Sequence, residues 1–324
     1  MRHWKKKSMR YLLIDFGASY IKCVEYDSET EQYSNQSFHP SPFNTSSTIT
    51  KQELKIILRG LLIEHHRVDR ILICTILGGF YDGDTYHSWK SNQSGIASSC
   101  MIGGLFMDEP TFHIHEHHAK VFGIENFELG LKIIGYLDDT PIYSPLGDTD
   151  CVINSVMLDD YDILINMGTG SQVIRKTTRK SFIPSGRALL TFANFFEELG
   201  LDMFEYMSNL SLREVQNSSL IIDLNVFKQA HQYTDGGQIV GIHEGNFNLK
   251  NFIGSILKSY MNQYDQFISD VGCNRIILTG GIPKKLPIIH EYFSLMYPEK
   301  KVILDNHSIE NTHRGMANYI QEYL

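Results

Sequence analysis

Two aspartates and three glycine turns carry the chemistry that can be read in this chain. Asp15 closes the apolar run Tyr11-Leu12-Leu13-Ile14 and is followed by Phe16-Gly17-Ala18-Ser19. A second run, Asp162-Ile163-Leu164-Ile165-Asn166-Met167, ends in Gly168-Thr169-Gly170-Ser171, and a third, Arg275-Ile276-Ile277-Leu278-Thr279, ends in Gly280-Gly281. Phosphates bind where backbone N–H groups converge and no side chain blocks the approach. Gly17 and the turn at 168–171 suit that task, with Ser19, Thr169 and Ser171 as hydroxyl donors. Asp15 suits a hydrated Mg²⁺ beside the phosphates, because magnesium is held by one or two carboxylates plus water. Gly280 and Gly281, after a buried strand and before a helix, let a flat base or ribose lie on bare backbone. Each segment alone also reads as an ordinary hairpin or strand-to-helix turn. In this order they point to one nucleotide, ATP, held between two domains.

Asp148 is the fourth piece. It stands in Pro145-Leu146-Gly147-Asp148-Thr149-Asp150, just before an apolar stretch at 151–158 that reads as a buried helix. A carboxylate at a loop-to-helix junction can cap the helix, and Asp150 favours the positive helix end in the same way. At a cleft the Asp148 carboxylate could also take the proton of a substrate hydroxyl as it attacks a γ-phosphate. Two further features are weaker. His113-Ile114-His115-Glu116-His117-His118 puts His113 and His117 on one helical face, yet it matches no zinc pattern and reads as a solvated or partly packed helix. Trp89 is either core or a sugar-stacking indole.

The elements that must position these residues follow from periodicity. Strands are expected at 11–15, 20–26 and 33–38, with Tyr20 to Tyr26 returning antiparallel beside the first. Thr50 and Glu53 have capping-box spacing, and Leu54, Ile57, Leu58, Leu61 and Leu62 then share a helical face. A buried strand follows at 70–75, and Asp82-Gly83 marks a hairpin turn within 80–86. Residues 91–104 read as a loop, 112–122 as a helix and 140–143 as a short strand. The second half repeats the theme: a strand at 162–166 and a returning strand at 171–175 across a glycine turn. Helices are expected from 189 to about 207, at 252–268, 285–296 and 309–323, with a strand at 275–279. The repetition predicts two related α/β domains.

Composition narrows the class. At 324 residues with 42% hydrophobic and 20% charged residues, the chain can bury two ordinary globular cores. A net charge of −8 argues against a broad nucleic-acid footprint. Lys5-Lys6-Lys7 lacks the apolar segment of a signal peptide, and no run is long enough to span a membrane. Cys23, Cys74, Cys100, Cys151 and Cys273 are scattered, with no Cys-x-x-Cys pair, so neither a disulfide framework nor a zinc ribbon is expected. The expected compartment is the cytoplasm.

The order of phosphate turn, Gly147-Asp148 helix, second phosphate turn and Thr279-Gly280-Gly281 turn resembles the FGGY carbohydrate kinases of the actin, Hsp70 and hexokinase superfamily. The most specific part is Pro145-Leu146-Gly147-Asp148 followed by Asn166-Met167-Gly168-Thr169-Gly170-Ser171-Gln172, and within the family the chain is most similar to sedoheptulokinase-like members. The resemblance implies an α/β fold of two ribonuclease-H-like (actin-like ATPase) domains with an interdomain nucleotide cleft, divided as 1–158 and 159–324, with the first domain shortened. It implies an ATP- and Mg²⁺-dependent sugar kinase. Asp15 would position Mg-ATP, and Asp148 would be the catalytic base. Gly168, Thr169, Gly170 and Ser171 would form the second phosphate loop, and Gly280 and Gly281 the adenosine loop. Trp89 would lie near the sugar. The partner would be a small sugar or sugar conjugate, a ketose or heptose among the candidates, with no nucleic acid and no membrane; self-association is left open.

The chain departs from the family in its acceptor region. Ala18 and Ser19 stand where two threonines are usual, Ile76-Leu77-Gly78-Gly79 replaces a stretch bearing a sugar-contacting His, and Lys90 and Ser91 stand where an acid is expected. A more open acceptor site follows as an expectation. The main alternative is a nucleotide-binding relative that senses or regulates without transferring phosphate. A filament-forming relative is disfavoured by the Gly147-Asp148 helix, and a nicotinamide dehydrogenase by the lack of Gly-x-Gly-x-x-Gly after the first strand.

Overall fold

The computed structural model describes residues 8–17, 19–75, 79–88, 101–106, 112–113, 127–128, 130–143, 145–156, 158–176, 178–227, 236–268 and 272–324. Trp89, Ala18, residues 76–78 and His115, His117 and His118 lie outside them, as do the readings that rest on them. The chain forms two compact units, Met1–Met157 with His307–Leu324, and Leu158–Asn306.

The first unit opens with the meander β1 (Arg10–Phe16), β2 (Tyr20–Asp27) and β3 (Gln32–Pro40), antiparallel throughout. Next come β4 (Thr48–Thr50) and α1 (Lys51–Glu64). The capping box forms as the spacing predicts: Glu53 N–H donates to Thr50 Oγ1, and Glu53 Oε2 accepts from Thr50 N–H at 2.8 Å. Leu54, Leu58 and Leu61 turn inward. β5 (Arg70–Thr75) then runs parallel to β1. β1 and β5 are continuous apolar runs because the middle of a sheet covered on both faces has no solvent side. The hairpin of β6 (Gly79–Asp82) and β7 (Thr85–Ser88) turns through Gly83 at φ 57°, a conformation glycine adopts without strain. β7 also pairs with β4.

Two expectations fail in the stretch that follows. The end of the expected loop at 91–104 is core: Met101 and Ile102 are buried and lead into a helical turn, α2 (Gly103–Phe106). Phe112 and His113, expected to open a helix, form β8 (Phe112–His113) and pair parallel with β9 (Phe127–Glu128). A run as short as Phe-His-Ile fits a strand as well as a helix, so pairing decides it. The unit continues with β10 (Ile133–Leu137), β11 (Thr140–Tyr143), β12 (Leu146–Gly147) and α3 (Asp148–Val156). Its sheet runs β10-β11-β5-β1-β2-β3, with β12 also on β5.

The second unit repeats this plan. β13 (Asp162–Met167), β14 (Ser171–Ile174) and β15 (Arg179–Ile183) form an antiparallel meander. α4 (Gly186–Glu198), α5 (Met203–Ser208) and α6 (Leu212–Asn217) follow, then the short pair β16 (Ile221–Ile222) and β17 (Ile239–Val240). The long helix expected at 252–268 is two: α7 (Leu249–Asn262) and α8 (Asp265–Ile268). The break falls where the Gln263 amide donates back to Tyr260 O at 2.9 Å, satisfying a last-turn carbonyl. β18 (Arg275–Thr279), α9 (Gly281–Lys285), α10 (Ile288–Met296) and β19 (Lys301–Leu304) complete a sheet ordered β15-β14-β13-β18-β19, in which β13, β18 and β19 are parallel.

The last helix, α11 (Asn311–Tyr323), corrects the division at 158/159. Its buried face of Met316, Ala317, Tyr319 and Ile320 belongs to the core of the first unit, not the second. Among the described residues no helix is long and apolar enough to cross a membrane.

Candidate phosphate and acceptor sites

In the first unit the candidate residues gather at the carboxyl ends of parallel strands. Asp15 on β1 is level with Cys74 on β5, and Cys74 with Leu146 on β12. Asp148 lies two residues beyond that level, at the first position of α3. With neighbouring strands about 4.8 Å apart, β1 and β12 are separated by about 10 Å.

Asp15 is nearly buried. Its Oδ2 accepts the Thr312 hydroxyl at 3.0 Å, its Oδ1 lies 3.6 Å from the Cys74 thiol, and Lys22 Nζ is 3.9 Å from Oδ2. Burial pushes the Asp15 carboxyl up, against the pull of Lys22 and the Thr312 bond. Burial likewise pushes up the thiols of Cys74 and Cys151, which makes them inert rather than nucleophilic. The turn after Asp15 is held from several sides. Gly17 N–H donates to Tyr20 O at 3.0 Å, and a Cβ on Gly17 would sit 2.8 Å from that oxygen. Ser19 O accepts from Ser41 N–H and from the Asn44 amide.

Asp148 is half-buried. Its Oδ1 accepts from Thr149 N–H at 2.6 Å and from the Thr149 hydroxyl at 3.1 Å, so it serves the first turn of α3. The helix behind it is locked: a Cβ on Gly315 of α11 would come 1.8 Å from Cys151 O, so only glycine permits this approach. The Asn154 amide donates to Gly315 O, and the Asn318 amide to Asn154 O.

In the second unit the turn 168–170 ends β13. Gly168 N–H donates to Gly170 O, while Gly168 O and Thr169 O accept from Gly186 and Arg187 N–H at the start of α4. Thr169 and Gly170 are exposed, and their N–H groups face no acceptor among the described residues, which leaves them available to an anion. The Ser171 hydroxyl, expected as a phosphate donor, is engaged inside the unit. It is buried, donates to Ser185 Oγ at 2.7 Å and accepts from the Tyr264 hydroxyl at 2.6 Å, while Tyr260 adds a contact to Ser185. Ser171 therefore supports the turn from below, because alternation puts it on the core face with Met167. Gly280 also has another reason to be glycine: its φ is 99°, and a Cβ would lie 2.4 Å from Met167 O. Gly281 is the exposed position, where a Cβ would meet open space.

Several site residues escape the motif reading. Lys22 sits directly opposite Asp15 in the β1–β2 ladder, so pairing the two predicted strands would have found it. Glu310, 3.3 Å from Lys22 Nζ, and Thr312 come from the far end of the chain and carry no local signal. Asn166, Gln172 and Thr279 stand level on adjacent strands of the second sheet, beside both glycine turns. Gln172 Oε1 and Thr279 Oγ1 are buried without a hydrogen-bond partner among the described residues.

The donor set fits a hydrated cation better than a directly coordinated one. Asp15 offers one carboxylate already engaged by Thr312, and no group of three or more His, Cys, Asp or Glu among the described residues could hold a bare metal ion.

No family model and no curated protein sequence matches this chain. Solved structures do. Gluconate kinase from Lactobacillus acidophilus superposes with a TM-score of 0.66 at 12% identity, over 97% of this chain and 89% of that one. Glycerol kinase from Plasmodium falciparum with ADP gives 0.62 at 11% identity, over 98% and 90%. The activator of 2-hydroxyisocaproyl-CoA dehydratase from Clostridium difficile with bound ADPNP gives 0.50 at 12% identity, over 96% and 94%. At such identities the likeness is one of fold: the chain has the α/β fold of sugar kinases and actin-like ATPases.

Proposed function

We propose that this chain transfers the γ-phosphate of ATP to a hydroxyl of a sugar or sugar conjugate, with Asp148 as general base. The observation that carries the reading is the alignment of Asp15 and Asp148 at the carboxyl ends of β1 and β12. That is where open α/β sheets bind ligands. Asp148 would orient the acceptor hydroxyl and take its proton. The exposed N–H groups of Thr169 and Gly170, with Gly168 between β13 and α4, would grip the phosphates, and Gly17 and Ser19 would contribute a second turn. Gly281 would let the adenosine lie against backbone, while Gly280 shapes the turn that presents it. Asp15 would hold Mg²⁺ through water, and Lys22 would add positive charge beside it. Bound Mg²⁺ supplies neutralisation of the β- and γ-phosphate charge. Trp89 would contact the acceptor, with a ketose or heptose as the narrower candidates.

A second reading is a nucleotide-binding protein without transfer. It is favoured by the bonds from Thr149 to Asp148 Oδ1, which suffice to explain that carboxylate as a helix-start residue. An ADP-release screen across free ketoses, heptoses and nucleotide-linked sugars separates the two. Acceptor-dependent ADP release supports the kinase; ATP binding with no release on any acceptor supports the alternative.

A further inference from the structure

Ser185 stands at the N-cap position of α4, where a serine hydroxyl ordinarily accepts from an N–H of the first turn, yet it makes no such bond. Its hydroxyl is taken elsewhere. Ser171 donates to Ser185 Oγ at 2.7 Å, the Tyr264 hydroxyl donates to Ser171 Oγ at 2.6 Å, and the Tyr260 hydroxyl lies 3.0 Å from Ser185 Oγ. The two tyrosine hydroxyls also bond to each other. Because Ser185 Oγ already accepts from Ser171, its own proton goes to Tyr260, and Tyr260 in turn donates to Tyr264. Each of these hydroxyls then donates once and accepts once, which closes a ring that needs no water. Ser171, Ser185, Tyr260 and Tyr264 are all buried.

Without a hydroxyl cap, α4 takes its first acceptors from the 168–170 turn. Gly186 N–H donates to Gly168 O at 3.0 Å, and Arg187 N–H to Thr169 O at 2.9 Å. In a trans peptide the carbonyl of one residue and the N–H of the next point in opposite directions. Pinning the carbonyls of Gly168 and Thr169 onto α4 therefore aims the N–H groups of Thr169 and Gly170 away from it. Gly168 N–H is spent on Gly170 O at 3.2 Å, so the pair that remains for an anion is Thr169 and Gly170. The seat has no slack: a Cβ on Gly186 would come 2.7 Å from Gly168 O and 3.3 Å from Ile282 Cδ1.

We propose, on the reading of this turn as a nucleotide-phosphate grip, that Ser185 and Gly186 are its positioning residues. The hydroxyl ring fixes where α4 begins, α4 pins two carbonyls, and the pinned peptides present two neighbouring N–H groups to one phosphate. Neither residue would touch the ligand. The first two N–H groups of α4 are consumed by the turn, so this helix end frames the phosphate rather than binding it. The donors are held in place before the nucleotide arrives, which spares the cost of ordering them on binding.

The test is binding of the non-hydrolysable ATP analogue AMP-PNP, with Mg²⁺, to the full chain and two variants, read by calorimetry and amide NMR. Tyr264→Phe opens the ring without adding an atom. Gly186→Ala pushes the Gly168 carbonyl off its seat. In the wild type the Thr169 and Gly170 amide signals should move on binding, and Gly168 less than either. Each variant should bind AMP-PNP about tenfold more weakly. At saturation its Thr169 and Gly170 shifts should shrink, while the other signals that AMP-PNP moves in the wild type move as before. Unchanged affinity in both variants, or a loss spread evenly over all responding signals, would overturn the positioning role and leave the nucleotide reading standing. A wild type that takes no AMP-PNP, or takes it with Thr169 and Gly170 unmoved, would overturn the phosphate grip itself, and the positioning role with it.

Discussion

Thr312, in the first turn of the C-terminal helix, donates its hydroxyl to Asp15 Oδ2 at 3.0 Å, across 297 positions of sequence. The same helix end reaches Lys22 twice: Glu310 pairs with its ammonium, and His313 Nε2–H donates to its carbonyl at 3.2 Å. Glu310, just before the helix, and Thr312 and His313 in its first turn thus hold the carboxylate and the cation on which the candidate metal–phosphate site rests. Thr312→Val keeps the shape and removes the donor from a nearly buried carboxylate, which should cost about 1–3 kcal/mol. Urea unfolding reads the loss, and an unchanged midpoint would mean that solvent already satisfies Asp15.

His313 makes stability depend on pH. Burial holds its imidazole down at about 4, against an ordinary value of 6.5. The folded protein therefore keeps a neutral His313 where the unfolded chain would already bind a proton. Its contribution is complete above pH 6.5 and is lost as pH falls from 6.5 to about 4, a change of about 3 kcal/mol. His313→Gln should flatten the dependence of unfolding free energy on pH in that window. A wild-type-like slope in the variant would assign the loss to another group.

The two glycines of the third turn should separate. Gly280→Ala places a Cβ against Met167 O in an unfavourable backbone conformation, and should cost about 1–3 kcal/mol. Gly281→Ala meets open space, so stability should change by less than about 0.5 kcal/mol. If Gly281 faces the nucleotide, that variant should still weaken binding of an ATP analogue. Equal stability losses at both positions would refute the division of roles.

Gly315→Ala tests the contact between α11 and α3. No rotamer change can relieve a Cβ against the Cys151 backbone, so the helices must part. The expected loss is about 3 kcal/mol or more. Asn154→Ala removes only the amide bond to Gly315 O and should cost about 1 kcal/mol, which orders the two variants by thermal melting.

Much of this plan was legible because it is local. The runs at Tyr11, Asp162 and Arg275, the Thr50–Glu53 capping box and the Asp82-Gly83 turn are set by neighbouring residues, and periodicity reveals them. The repeat of a strand, glycine turn and returning strand likewise revealed two related units. What stayed hidden depends on pairing between distant segments. β8 exists through β9, α11 returns to the first unit through its buried face, and Thr312 meets Asp15 only after the chain has closed. Ser171 was expected at the start of the returning strand, and that strand forms; its register opposite Met167 places its hydroxyl in the core, which the motif alone does not reveal. β19 is a short run of half-buried residues on one edge, too weakly patterned to be seen alone.

The central claim is that Asp148 is a base and not merely a helix-start residue. The most direct measurement is the rate of acceptor-dependent ADP release by Asp148→Asn, with ATP-analogue affinity and melting temperature measured on the same sample. Asn keeps an oxygen for Thr149 and removes the base, so affinity and melting should hold while the rate falls by about 10²–10⁴. A variant that turns over at the wild-type rate would contradict the account.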